Sequence, residues 1–163
     1  MSSVPFFVIF IVVVVGYALA RGGGPERATA LAYIIASAGS LSLGFLNMPG
    51  AFRSVPMRLF AVDTLLLIGL CIVAIRANRR WPIPVAGCQL VAVLVHAGKL
   101  LYPAMIPDSY ALLTTIWSWP MVALLGIGTW AHRRRLAERA FVPDWKPISG
   151  RLRFRSPPLQ LPR

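Results

Sequence analysis

Three ionisable side chains, Asp63, His96 and Lys99, stand inside stretches that are otherwise apolar. A carboxylate, an imidazole and an ammonium are groups that carry protons or bind small anions, and an imidazole can also ligate a haem or pigment metal. His96 and Lys99 are spaced i and i+3, which puts them on one face of a helix. Gln89 lies deeper in the same helix, where its amide can donate and accept hydrogen bonds between helices. Charged groups at membrane depth cost several kcal/mol unless they are paired, hydrated or able to reach the surface. An Asp63–Lys99 pair with His96 alongside would meet that cost. Two readings compete. In one, Asp63 and Lys99 tie neighbouring helices together and His96 is a hydrogen-bonded interior side chain. In the other, the trio lines a hydrated cavity that relays protons or a small anion. Lys99 sits near the helix end, where its ammonium can snorkel outward, and this favours the tie.

The chemistry these residues exclude is as informative. A bis-histidine haem needs a second membrane histidine, and His132 falls past the inner end of the last apolar stretch, on the opposite side. His96 is therefore only a candidate for a single pigment ligand, and the sequence specifies no cofactor beyond bound lipid. Cys71 and Cys88 have neither CxxC spacing nor a His or Asp pattern beside them, so they read as small buried thiols without a metal. No nucleotide loop, paired acids or activated nucleophile appears, and the chain is expected not to be an enzyme.

Five apolar stretches must position these groups: Val4–Ala20, Ala28–Leu46, Leu59–Ile75, Ile83–Tyr102 and Ser109–Ala131. Each fits the window of about 17–25 residues that a helix needs to cross the hydrocarbon core. The expected fold is an all-α integral membrane protein, a five-helix transmembrane bundle over residues 1–131 with a basic, proline-rich tail over residues 132–163. A hydrophobic content of 57% is at odds with a water-soluble fold, and the connections are too short for a soluble domain, which starts at about 50 residues. The first stretch ends in Ala18-Leu19-Ala20, as a signal peptide does. It lacks a basic leading region and Arg21 follows at once, so it reads as a retained first span.

Arginine placement sets the orientation. With the C-terminus cytoplasmic, the inner segments hold Arg21, Arg27, Arg76, Arg79 and Arg80, then Arg133, Arg134 and Arg135, while the outer ones hold only Arg53, Arg58 and Asp108. This is the positive-inside asymmetry, and with five spans it puts the N-terminus outside. Tyr17, Trp81 and Trp130 then fall at the inner interface, and Phe6, Phe7, Tyr102 and Tyr110 at the outer one. The formal charge of +12 lies in short loops and the tail, not on a folded basic module, so nucleic acid is not an expected partner. The expected location is a bacterial-type inner (cytoplasmic) membrane.

Three further features bear on partners. Ala28, Ala32, Ala36, Ser40 and Gly44 recur every four residues and form a ridge of small side chains, against which a neighbouring helix or another subunit can pack closely. Pro120, in Trp117-Ser118-Trp119-Pro120, should free the carbonyl of Ile116 and kink the last span. In the tail, Arg133, Arg134 and Arg135 meet the headgroups, a helical turn or two is expected over Leu136–Phe141 as far as Pro143, and Arg151, Arg153 and Arg155 alternate with Leu152 and Phe154 as in an extended strand. That tail suits anionic lipid or a partner protein. The leading functional expectation is a non-catalytic accessory subunit of a larger membrane complex. The alternative is a small transporter or channel component built on an Asp63/His96/Lys99 proton or anion relay.

Overall fold

The computed structural model describes residues 4–42, 57–138 and 143–146, and these form six helices with no extended strand. They are α1 (Val4–Arg21), α2 (Gly24–Ser42), α3 (Met57–Arg76), α4 (Pro82–Leu101), α5 (Pro107–Thr115) and α6 (Ser118–Glu138). Three helical stretches are long and apolar enough to cross a membrane: α3, α4, and Pro107–Glu138, which α5 and α6 make together. A shorter apolar helix runs over Pro5–Arg21.

Prolines and glycines punctuate the helices. Pro82 and Pro107 occupy the first turns of α4 and α5, where a missing N–H costs nothing because it would have no partner within the helix. α2 begins at Gly24, four residues ahead of the apolar stretch from Ala28. Its start is set by a cap: the Glu26 carboxylate reaches back to accept from the Gly23 N–H at 3.1 Å. The last span is interrupted ahead of Pro120, with Ile116 still in helical geometry. α5 ends at Thr115, Ile116 and Trp117 form a turn, and α6 restarts at Ser118 with Pro120 in its first turn. Pro120 offers no N–H to the Ile116 carbonyl, so the helical ladder is interrupted there and resumes beyond it. α6 then extends to Glu138, seven residues past Ala131.

Packing follows the antiparallel threading: α3 lies on α4, α2 on α3, α1 on α6, and α4 also contacts α5 and α6. The apolar core joins Val15 and Ala18 of α1, Ala30 and Tyr33 of α2, Leu70 of α3, Val85 and Ala86 of α4, and Met121, Val122 and Leu125 of α6. The Tyr33 hydroxyl donates to the Met121 carbonyl at 3.2 Å. Large apolar side chains such as Phe6, Ile35, Leu65, Ile75 and Leu101 stand outward, while Glu26, Arg79, Gln89, His96, Lys99, Thr129 and His132 are buried. Such a distribution would be costly in water and is what a lipid solvent favours.

The small-residue ridge of α2 is only partly covered. Ala28, Ala32, Ala36 and Ser40 are half-buried, and a methyl placed on Gly39 would meet Val62 of α3 at 3.5 Å. Gly44 lies outside the described residues, as do Arg151, Arg153 and Arg155. The α2 face that packs deepest instead carries Pro25, Glu26, Thr29, Ala30 and Tyr33.

Candidate functional site

His96 lies near the C-terminal end of α4 and is 1% exposed. Its two ring nitrogens are both engaged. Nε2 is 2.8 Å from Oδ2 of Asp63 on α3, and Nδ1 is 2.6 Å from the hydroxyl of Tyr110 on α5. The rings of Phe60 and Tyr110 close on the imidazole, with centroids at 5.7 and 5.6 Å. The Gln89 amide fixes the carboxylate from the other side, donating to the Asp63 backbone carbonyl at 3.1 Å and to Oδ1 at 3.2 Å. Gln89 and His96 are two turns apart on the buried face of α4, which also carries Val85, Ala92 and Lys99.

With Asp63 ionised, its carboxylate only accepts hydrogen bonds, and Nε2 then carries the proton that bonds it. In the neutral imidazole, Nδ1 is then an acceptor and the Tyr110 hydroxyl donates to it. The chain therefore runs phenol to imidazole to carboxylate, in one direction. Protonation of the ring turns Nδ1 into a donor and reverses the bond to Tyr110. The Asp63 side chain is 25% exposed, so the chain leads from a buried phenol to a partly open carboxylate.

Lys99 departs from the expected arrangement. It makes no ion pair with Asp63 among the described residues. It is also buried rather than snorkelled, at 3% exposure. Its ammonium donates to the Pro103 carbonyl at 3.0 Å and to that of Met105, and lies 5.9 Å from the centre of the Tyr110 ring. The reason is local. A helix C-terminus leaves carbonyls without partners, and a cation in the last turn of α4 satisfies those of the turn that follows. Histidine takes the carboxylate because it stands a turn deeper, opposite Asp63. Tyr110, expected as an interface aromatic, is buried and completes the chain.

A second polar cluster closes the opposite end of the bundle, separated from the first by about 20 Å of α3. Arg79, in the turn between α3 and α4, is clamped between two carboxylates: Glu26 of α2 at 2.8 Å and Asp144 of the tail. The Trp81 indole donates to Glu26 at 3.1 Å. Asp144 also accepts from the Gly24 N–H at 2.8 Å, and its backbone carbonyl accepts from the Asn78 N–H at 3.0 Å. Trp145 pairs with Ala77 in an isolated antiparallel bridge, and Lys146 donates to the carbonyls of Arg76 and Ile75. The tail thus folds back onto its own bundle over residues 143–146. Arg134 pairs with Glu138 at 3.2 Å on the exposed side of α6. Glu26 and Asp144 were not legible as partners from pattern alone. The available signal was Gly23-Gly24-Pro25-Glu26, which reads as a capped helix start.

Compared with known protein families, with curated proteins and with solved structures, the chain matches none of them. Among the described residues no three His, Cys, Asp or Glu side chains gather as metal ligands.

Proposed function

We propose that this chain is a small, non-enzymatic transporter or channel component of a bacterial-type inner membrane, and that it passes protons through Asp63, His96 and Tyr110. In this reading it crosses the membrane five times, with the N-terminus outside and the tail cytoplasmic, so that Asp63 faces the outer leaflet. The positive-inside distribution of arginines supports that orientation. The observation that carries the relay is the two-sided engagement of a buried imidazole, at 2.8 Å to a carboxylate and 2.6 Å to a phenol. A histidine held in this way can accept a proton on one nitrogen and release it from the other without moving. The imidazole takes the proton on Nδ1 from the Tyr110 side and releases one from Nε2 to Asp63, and the partly open carboxylate is the exit of the relay.

The test is proton flux into liposomes holding the purified chain and a pH-sensitive dye, driven by a potassium diffusion potential. Flux is expected between pH 5 and 8 and should fall by about tenfold or more in His96→Ala, in line with loss of a positioned proton carrier. Absence of flux in the unmodified protein would sink the relay. A second reading, an accessory subunit of a larger membrane assembly, draws on the partly uncovered small-residue face of α2.

A further inference from the structure

We propose that the glycine turn Gly22–Gly24, the Arg79 guanidinium and the His132 imidazole form an anion site for the phosphodiester of a phospholipid headgroup. The Asp144 carboxylate is then a stand-in ligand supplied by the same chain.

Asp144 is bound as a foreign anion would be. One oxygen accepts from the Gly24 N–H, the first backbone donor of α2, and the other meets Arg79. A helix N-terminus and a guanidinium fork are a phosphate-binding pair. The glycines make room for it. A Cβ on Gly23 would lie 2.5 Å from Asp144 Oδ1 and 3.0 Å from His132 Cε1, and one on Gly24 would lie 2.5 Å from the Trp145 indole nitrogen. The carboxylate and the imidazole therefore converge on the space that a side chain at Gly23 would fill.

The carboxylate leaves buried polar atoms unused. Among the described residues Arg79 Nε and His132 Nδ1 have no hydrogen-bond partner, although the Arg79 side chain is 2% exposed and His132 is 5% exposed. Arg135, one turn beyond His132, has Nε and one terminal nitrogen in the same condition. One carboxylate oxygen accepts from Gly24 and the other from Arg79, and neither reaches Arg79 Nε or His132 Nδ1. A tetrahedral phosphate diester brings further acceptors for donors that the carboxylate cannot reach. Charge selects among phosphates. Glu26 and Asp144 together balance Arg79 and Arg135, so departure of Asp144 leaves one positive charge. That suits a monoanionic diester, while buried Glu26 at the same turn opposes a dianion. The site also lies at the end of the bundle that carries Arg133, Arg134 and exposed Trp130, residues suited to a headgroup layer.

Headgroup binding would displace Asp144 and release residues 143–146 from the bundle. The experiment is native mass spectrometry of the full chain in detergent, titrated with phosphatidylglycerol, with diacylglycerol lacking the phosphate, and with inorganic phosphate. Asp144→Ala removes the competitor and should bind phosphatidylglycerol about tenfold more tightly than the unmodified chain. Adding His132→Leu should abolish that gain. No gain, or an equal gain for diacylglycerol, would overturn the site. A gain for inorganic phosphate without one for phosphatidylglycerol would overturn the headgroup as its source. The unmodified chain provides a separate arm should Asp144→Ala not fold. In phosphatidylglycerol nanodiscs, the Asn78 and Lys146 amides should exchange hydrogen faster than in nanodiscs of an uncharged glycolipid, because both bond across the docked segment. Equal exchange in the two would count against displacement.

Discussion

At the scale of single residues, the Asp63 cluster separates two basic side chains that share a helix face. His96 is held by a carboxylate and a phenol, whereas Lys99 is held by two carbonyls of the turn after α4. The two should therefore fail in different ways. Lys99→Met removes the charged donor to the Pro103 and Met105 carbonyls and should lower stability by about 1–3 kcal/mol, read as an earlier thermal midpoint in detergent. Proton flux through the folded fraction should be unchanged, because Lys99 stands outside the chain from Asp63 to Tyr110. Loss of flux with an unchanged midpoint would place the ammonium in the relay after all. The sequence marked Asp63, His96 and Lys99 because ionisable residues are rare in apolar stretches. It could not say which of them pair, since pairing depends on how α3 and α4 are rotated against each other.

At the scale of elements, glycines divide by what lies over them. Gly128 on α6 faces Trp81, and a Cβ there would lie 2.7 Å from the indole ring. Gly69 on α3 and Gly87 on α4 have nothing within 4 Å. Gly128→Val should thus overpack the α4–α6 contact and destabilise by about 1–3 kcal/mol, while Gly69→Ala should stabilise by about 0.5–1 kcal/mol through helix propensity. Thermal unfolding of both variants in one detergent checks the contrast, and equal shifts would mean that α6 does not approach Trp81 so closely. The interrupted α5–α6 span was half legible. Pro120 announced a disturbed ladder, but whether a helix bends or stops depends on what its neighbours can accommodate. Here α5 leans on α4 and α6 on α1, and Trp119 of α6 sits among Phe7 and Phe10 at 5.1 and 5.9 Å between ring centroids.

At the scale of the whole molecule, the bundle has an apolar exterior and polar groups gathered at its two ends. The accessory-subunit reading is tested here. Mild-detergent extraction and pull-down of a tagged copy should recover partners in fixed stoichiometry if the open flank of α2 is a subunit seam, and deletion of residues 147–163 should weaken that recovery. Recovery of the chain alone would remove this reading and leave the relay. The helical membrane class follows from residue pattern alone, because stretches of about 20 apolar residues can satisfy their backbone only as helices in lipid. The same pattern also determined which polar residues are exceptional, through their rarity. The tertiary structure decided their partners. Asp63 and His96 are far apart in the chain, as are Arg79, Glu26 and Asp144, and no periodicity relates them. Only the antiparallel packing of α2, α3, α4 and α6 brings each set together, because a contact between helices depends on rotation and depth, which a linear pattern leaves free.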